Sequence, residues 1–139
     1  MDRCLLDTSA LSDVMLPAAK RPASVERRLK DYLRAHGRLS FSEMSCYEVL
    51  RGLRKKRANA QLRRFTEFCS HCELLPVTFD VLDRAALLWA DGQRQGIVID
   101  DSDLIIAATA LLQRVSLVTS NTRHFAWIGR LSLLNWRDP

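Results

Sequence analysis

The chain opens with the stretch Arg3-Cys4-Leu5-Leu6-Asp7-Thr8-Ser9, and the fold can be built outward from it. A short apolar run over residues 3–6 is followed at once by polar residues of the kinds that begin helices. We therefore predict a buried strand that ends at Asp7 and turns directly into a helix. Thr8 or Ser9 could cap that helix equally well, so capping alone does not require the Asp7 carboxylate.

The same alternation of short apolar runs and longer amphipathic segments continues along the chain. The predicted strands are residues 3–6, 38–41, 74–77, 115–119 and 131–135, and the predicted helices are residues 23–35, 43–54, 59–72, 79–95 and 101–114. Leu82, Ala86 and Trp89 form the apolar face of the long helix 79–95. Strands that alternate with helices predict a single α/β domain over residues 1–139, with a parallel sheet covered on both faces.

The composition sets the class of protein. The chain has 139 residues, 47% of them hydrophobic and 27% charged, which are ordinary globular values and leave no room for two full domains. The apolar run 104–112 is far shorter than the ~20 residues that cross a bilayer. The first residues lack the composition of a secretory signal, so we expect a soluble cytoplasmic protein with no membrane partner.

The net charge of +5 is distributed unevenly. Residues 51–64 carry seven basic side chains and no acid, whereas no Lys or Arg stands between Arg94 and Arg114, where Asp100, Asp101 and Asp103 lie. Basic patches supply the salt-dependent part of nucleic-acid affinity. On charge alone, the alternative that residues 51–64 form a solvated helix face remains open.

Three polar residues follow predicted strands or begin a buried helix. Asp7 follows the first strand, Asn121 follows the strand 115–119, and Asp103 lies in the first turn of helix 101–114, with Asp101 as its expected N-cap. Ligands of parallel sheets bind outside the carboxyl ends of the strands, so these residues are expected to converge. Two carboxylates in contact require a proton or a cation, and oxygen ligands suit Mg²⁺ or Mn²⁺.

Glu48 is a further candidate because it is not needed to begin its helix. The segment Ser40-Phe-Ser-Glu43 resembles a capping box, which leaves Glu48 in mid-helix, four residues before Gly52. Glycine costs ~1 kcal/mol in a helix interior, a cost that is explained if the face beside Glu48 must stay open. The alternative is that Glu48 forms an ion pair with Arg51.

The four cysteines are expected to be reduced and structural. Cys69 and Cys72 have C-x-x-C spacing, but no second pair completes a zinc site. Cys4 and Cys46 lie in apolar patterns, where cysteine behaves as a small buried hydrophobe.

Four motifs in order resemble those of one enzyme family. They are Leu5-Leu6-Asp7-Thr8-Ser9, the segment 42–53 with its acid four residues before a glycine, Asp101-Ser-Asp103-Leu-Ile-Ile-Ala-Ala-Thr-Ala110, and Leu117-Val-Thr119-Ser-Asn121-Thr-Arg123-His-Phe125, with Leu131-Ser-Leu-Leu-Asn-Trp136 closing the chain. In these motifs the chain resembles the PIN-domain ribonucleases from end to end, and most closely the VapC toxins of bacterial toxin–antitoxin pairs. The resemblance implies a PIN-like three-layer α/β/α fold with a central, mainly parallel sheet.

The resemblance also implies roles for the acidic residues. Asp7, Glu48 and Asp103 would be the catalytic acids, and Asp7 and Asp103 the ligands of Mg²⁺, with Mn²⁺ as an alternative. The supporting residues, which would contact the phosphate, orient the ligands or supply charge, are Thr8, Ser9, Asp101, Asn121 and Arg123. Many relatives carry an acid near the position of Asn121, and in this chain Asp101 is the residue that could supply that charge for a second metal.

Activity and partners follow from the same resemblance. It implies a metal-dependent endoribonuclease toxin that leaves a 5′-phosphate, and its closing pattern is similar to that of toxins that cut tRNA. The residues expected to guide RNA are Arg51, Arg54, Lys55, Lys56 and Arg57. The implied partners are a VapB-like antitoxin that inserts an Arg or Lys into the acidic site, and a second copy in a homodimer. A PIN-fold nuclease of RNA maturation and a non-catalytic RNA-binding module are the alternatives.

Overall fold

The computed structural model describes residues 1–139 and contains one five-stranded sheet. The strands are β1 (Cys4–Leu6), β2 (Ser40–Ser42), β3 (Glu73–Leu75), β4 (Ser116–Val118) and β5 (Leu133–Leu134). Every strand pair is parallel, and the order across the sheet is β3-β2-β1-β4-β5. The predicted parallel sheet is confirmed. The strands have only two or three residues each and are therefore shorter than the predicted segments.

Seven helices connect the strands. They are α1 (Thr8–Met15), α2 (Ala23–His36), α3 (Glu43–Lys55), α4 (Asn59–Ser70), α5 (Phe79–Arg94), α6 (Asp101–Gln113) and α7 (Thr122–Phe125), with a 3₁₀ turn at Ala18–Lys20. Gly37 has φ of +80° and ends α2, since a left-handed C-terminal residue favours glycine. No helix is both long and apolar enough to span a bilayer.

The central strand divides the hydrophobic core into two layers. Cys4 and Leu6 point to one face, where they pack with residues of α1 and α2, while Leu5 points to the other face with residues of α5 and α6. Strands buried on both faces have continuous apolar sequences, which explains why the run 4–6 shows no alternation. The three-layer α/β/α arrangement that the resemblance implies is therefore confirmed.

The chain reverses direction across the sheet beside β1. The connections from β1 to β2 and on to β3 run toward one edge, whereas β4 returns to the opposite side of β1. Such a reversal opens a crevice at the carboxyl ends of the two central strands. Asp7 follows β1 directly, and its backbone N–H donates to the Val118 carbonyl of β4 at 2.9 Å, so Asp7 lies at this crevice.

Helix α3 packs across the crevice. It contacts α1, α4 and α6, and thus connects elements from both sides of the sheet. Ser42 begins α3 by accepting a hydrogen bond from the Met44 N–H. The predicted capping box that starts at Ser40 is wrong, because the Ser40 hydroxyl donates to Glu73 and the Glu43 carboxylate accepts from the Val77 N–H. The helix nevertheless starts where the sequence indicated, and Glu48 lies in its interior.

Two other helix starts differ from the sequence-based prediction. Asp7 itself caps α1 by accepting from the Ala10 N–H, so neither Thr8 nor Ser9 takes that role. Asp100, rather than Asp101, is the residue that precedes α6, and its side chain accepts no capping hydrogen bond. In both cases the cap residue lies one or two positions from the predicted one. Apolar periodicity does not determine the start of a helix to that precision.

The face of α5 that packs on the sheet is not the predicted one. Val81, Ala85, Leu88 and Gly92 are buried, whereas Leu82, Ala86 and Trp89 are exposed. Two apolar stripes run along this helix, and the smaller side chains pack inside because α6 lies close against them. The stripe of Phe79, Leu82, Ala86 and Trp89 is called the outer stripe below.

The cysteines are free thiols. Cys4 is buried, and burial raises its pKa to about 12. Burial is also the main cause that raises the pKa of Cys69 to about 12 and of Cys72 to about 11. At neutral pH these thiols are protonated and packed against the core, as the sequence predicted.

Candidate active site

Asp7 is the most buried acid of the site, with 4% of its surface exposed. Its Oδ1 accepts hydrogen bonds from the Ala10 N–H at 2.8 Å and from the Ser9 hydroxyl at 2.6 Å. Burial raises the pKa of the carboxyl, and hydrogen bonds from Ser9, Thr119 and Ala10 oppose that rise. Ser9 also accepts from the Ser120 N–H and so ties the start of α1 to the loop after β4.

Glu48 reaches the same crevice from α3. Its Oε1 accepts from the Thr8 hydroxyl at 2.7 Å, and the Thr8 oxygen also lies 3.1 Å from the Ser45 hydroxyl. The Arg51 guanidinium lies 3.6 Å from Glu48 Oε2, but the Arg51 side chain is 58% exposed. The ion pair considered from the sequence is therefore present, and the Thr8 contact shows that Glu48 is also held toward the start of α1.

Asp103 enters from α6, on the other side of the crevice. Its Oδ2 lies 3.0 Å from His124 Nε2. Burial is the main cause that raises the pKa of Asp103, His124 opposes the rise, and the negative charges of Glu48 and Asp7 add to it. The three acids are thus close enough to interact electrostatically, although Asp7 precedes α1, Glu48 lies on α3 and Asp103 lies on α6, far apart in the sequence.

The acids form a set of hard oxygen donors that suits a divalent cation. Asp7 and Asp103 present carboxylates whose charged forms are disfavoured without a counterion. No three His, Cys, Asp or Glu side chains converge closely enough to enclose an ion on their own. Mg²⁺ is commonly bound through one or two carboxylates while water fills its other positions, so the donor set fits such an ion.

Three predicted supporting residues lie at the rim without contacting the acids. Asp101, Asn121 and Arg123 are exposed, and their side chains form no hydrogen bond or ion pair with Asp7, Glu48 or Asp103. Asn121 begins the short helix α7, and its backbone N–H donates to the Thr119 hydroxyl. Thr8 and Ser9, in contrast, hydrogen bond directly to the catalytic candidates.

Three residues of the site were missed in the sequence. His124 contacts Asp103, Ser45 contacts Thr8, and Thr119 stabilises the charged form of Asp7. His124 lies three residues beyond Asn121 in a short helix, and no periodic pattern directs its ring toward α6. The position of Thr119, at the end of a buried strand, was the available signal because strand ends line the crevice.

The predicted RNA-guiding side chains lie in the exposed second half of α3 and just after it. The exposed basic residues are Arg51, Arg54, Lys55, Lys56 and Arg57. The Arg51 guanidinium also lies 5.3 Å from the centre of the Tyr47 ring. None of the last four forms an ion pair, so their charges are available to another molecule.

A large groove of about 1170 Å³ extends from the acidic crevice. Thr8, Glu48 and Gly52 line one end of the groove, where Glu48 is its only acid, and Arg21, Lys56 and Arg64 are its positively charged lining residues. Its other walls are mainly apolar and include Val14, Met15, Leu29, Leu33, Leu39, Val49, Leu53, Phe65 and Phe68. A Cβ added at Gly52 would meet no atom within 4 Å, so glycine leaves this end of the groove open without being required by packing inside the chain.

Comparison of the sequence with protein families identifies one of them. A family model described as "PIN domain" matches residues 4–131. Ribonuclease VapC1 of Methanocaldococcus jannaschii is 27% identical over 131 residues, which make up 94% of this chain and 85% of that protein. Residues 4–131, which match the family model, include Asp7, Glu48 and Asp103.

Comparison with solved structures supports the fold independently. The chain resembles the structure of VapBC2 from Rickettsia felis bound to a DNA fragment from their promoter, with a TM-score of 0.84 and 24% identity over 97% of this chain and 99% of that chain. It also resembles a toxin–antitoxin complex from Klebsiella pneumoniae, with a TM-score of 0.73 and 24% identity over 98% and 99% of the two chains. At this level of identity the likeness shows a shared fold.

Proposed function

The chain belongs to the PIN domain family, and on that premise we propose that it is a metal-dependent endoribonuclease that acts as the toxin of a type II toxin–antitoxin pair. The observation that carries the proposal is the convergence of Asp7, Glu48 and Asp103 at the crevice beside β1. Its relative from M. jannaschii is named a ribonuclease. We expect the protein to act on cytoplasmic RNA, and tRNA is the first substrate to test.

Asp7 and Asp103 would hold the cation, since burial disfavours the charged form of both carboxyls and raises the pKa of each. A bound Mg²⁺ would supply Lewis-acid polarisation of a phosphate oxygen and would lower the pKa of water. Glu48 is held by the Thr8 hydroxyl with its second oxygen directed to the Arg51 side. That oxygen can accept a proton from an attacking water if RNA draws the exposed Arg51 away.

The basic residues 51–57 would bring the RNA backbone to these acids. Arg51, Arg54 and Lys55 lie on the same helix as Glu48, within two turns of it, and Lys56 and Arg57 follow directly after the helix. Without them, a phosphate approaching three carboxylates would be repelled. Arg also offers a planar fork that matches phosphate oxygens.

The experiment that tests the activity is cleavage of RNA by the purified chain with and without Mg²⁺. We expect Asp7→Asn and Asp103→Asn to abolish Mg²⁺-dependent cleavage while the variants remain folded, and the products to carry 5′-phosphates. Cleavage by both variants at the wild-type rate would contradict the proposal. Metal-independent RNA binding by the wild type without cleavage would instead favour the binding-module alternative, for which the amide of Asn121 is the supporting feature, since it cannot supply a negative charge to a metal.

We further propose that the groove accommodates a VapB-like antitoxin. The walls would bury the apolar side chains of an incoming segment, and the end at Glu48 would receive an Arg or Lys. This arrangement would pair the cation with Glu48, one of the three proposed catalytic acids, and so interfere with the site. Growth arrest on expression, relieved by a co-expressed antitoxin, would test the toxin role separately from the nuclease chemistry.

We also propose that two copies pair through the outer stripe of α5. Phe79, Leu82 and Trp89 are 80%, 47% and 50% exposed, and they lie within two to three turns of one helix. A soluble monomer rarely leaves so many large apolar side chains in one stripe. The two-fold contact would bring identical stripes together.

A further inference from the structure

We propose that His124 is a positioning residue that fixes the Asp103 carboxylate for metal binding. The inference rests on the proposed function, because it assigns a partner to one of the two proposed metal ligands. It starts from the contact between His124 Nε2 and Asp103 Oδ2, which are 3.0 Å apart. A carboxylate oxygen accepts hydrogen bonds, so Nε2 carries the proton in this contact.

His124 is held through both its backbone and its ring. The His124 N–H donates to the Asn121 carbonyl at 3.1 Å, and the His124 carbonyl accepts from Trp127 Nε1 at 3.1 Å. The ring meets the Phe125 ring edge-on, with 5.3 Å between centroids and 83° between planes. Phe125 is buried in the core, so the position of His124 is fixed relative to the sheet.

Trp127 connects this local arrangement to α5. A Cβ added to Gly92 would lie 3.2 Å from Trp127 Cη2, which shows that the indole packs directly on the helix backbone. The indole therefore cannot shift toward α5, and the carbonyl of His124 stays bound to it. The packing of the Trp127 indole on Gly92 thus helps to hold His124, the residue that contacts Asp103, in place.

The contact occupies one oxygen of Asp103 and leaves the other free. Oδ2 is bound to His124, while Oδ1 accepts no hydrogen bond. The Asp103 side chain is 25% exposed and can therefore be reached from the crevice. Partners of this kind orient carboxylate ligands, and their loss typically lowers metal affinity or activity about 10–100-fold.

The test measures Mn²⁺ binding to the full chain by electron paramagnetic resonance, so that it does not depend on RNA cleavage. His124→Leu removes the N–H and His124→Asn places its amide too far back to reach Asp103, so both are expected to weaken Mn²⁺ binding about 10–100-fold. His124→Gln keeps an N–H near the Nε2 position and is expected to bind within a few-fold of wild type. Circular dichroism establishes that each variant is folded.

The chain offers a matched control. His71 Nε2 lies 3.1 Å from Glu67 Oε1, a histidine–carboxylate pair that contacts none of the three acids and is more exposed, at 74% and 77%, than the His124–Asp103 pair. His71→Leu is expected to leave Mn²⁺ affinity unchanged. The proposal is overturned if His124→Leu and His124→Asn bind as tightly as wild type, or if His124→Gln binds as weakly as they do.

The failure of this proposal differs from failure of the proposed function. If the wild type cleaves RNA with Mg²⁺ but the His124 variants bind Mn²⁺ normally, only the role of His124 is refuted. If the predicted order of Mn²⁺ affinities is found but no RNA is cleaved, the positioning role stands and the nuclease proposal is wrong. If the wild type binds no Mn²⁺ at all, both are refuted.

Discussion

The outer stripe of α5 gives the sharpest prediction, because one helix carries both the test position and its control. Leu82 is 47% exposed and belongs to the stripe, whereas Leu87 is 55% exposed and lies five residues later. At 100° per residue, the two side chains point about 140° apart around the helix. We predict that Leu82→Ser weakens self-association and that Leu87→Ser does not.

The expected magnitude follows from the exposed fraction of Leu82. Fully burying a leucine side chain contributes about 1.5–3 kcal/mol, so covering the exposed half at a dimer interface contributes about 1 kcal/mol. In a two-fold interface every substitution is present twice, which gives about 2 kcal/mol per dimer. That difference corresponds to about a 30-fold increase in the dimer dissociation constant.

Sedimentation equilibrium over a range of protein concentrations measures this constant directly. Both substitutions replace a half-exposed leucine by serine on the same helix, so their effects on helix propensity and on monomer stability should be similar. An equal effect of Leu82→Ser and Leu87→Ser, or a wild-type chain that remains monomeric at all concentrations, would show that the outer stripe is not the interface.

Three further predictions concern the crevice. Gly52→Ala should stabilise the free chain by about 0.5–1 kcal/mol in urea unfolding but weaken antitoxin binding, because the new methyl group enters the open groove; unchanged antitoxin affinity would contradict this. Thr8→Val removes the hydrogen bond to Glu48 without a change in size and should lower kcat about tenfold with little change in the melting temperature, whereas wild-type kcat would show that Thr8 does not position Glu48. The pKa of Asp103 is raised in the folded chain, so between the pKa of an unfolded Asp and that raised pKa the folded state binds more protons than the unfolded state. The free energy of unfolding of the metal-free chain should therefore fall as pH rises through the raised pKa. Asp103→Asn should lose that component of the pH dependence, and an identical pH profile for the variant would refute the assignment.

The sheet was predictable because its evidence is local. Runs such as residues 4–6 and 116–118 are apolar and short, and the helices between them are long enough to cross over a parallel sheet. The strand order follows from rules about such crossovers only in part. The reversal beside β1, which creates the crevice, is a property of the whole chain and became visible only in the structure.

The face of α5 was not predictable from periodicity alone. Two apolar stripes lie on this helix, and the larger side chains of Leu82 and Trp89 suggested the wrong one. Ala85 and Gly92 are buried because α6 and Trp127 approach closely and leave no room for larger groups. Burying the larger side chains would remove more apolar surface from water. The neighbouring elements approach too closely to admit them, however, and this close approach determined which face of α5 is buried.

The acids were found from strand ends and motif spacing, but their hydrogen-bond partners were not. Asp7 and Asp103 follow rules about where ligands bind in parallel sheets. The contacts of His124 with Asp103 and of Thr8 with Glu48 join residues 21 and 40 positions apart. Such pairs depend on the angle at which two helices meet, and no single-sequence pattern contains that angle.

The three acids share a feature that connects the fold to its proposed chemistry. In the free chain each acid has one nearby hydrogen-bonding or charged partner. Asp7 accepts from the Ala10 N–H at the start of α1, Glu48 lies near Arg51, and Asp103 contacts His124. Arg51 is more than half exposed, and exposed ion pairs contribute only about 0–1 kcal/mol, so a stronger cation can replace it. Asp103 keeps one oxygen free, and Asp7 is buried with its charged form disfavoured. The crevice is therefore held in shape by contacts that leave its negative charge incompletely balanced, and either a divalent ion or the basic side chain of an antitoxin would complete the balance. Under the proposed function, a partner's cation that pairs with these acids would compete with the metal for the same negative charge, and such competition would provide a physical basis for inhibition.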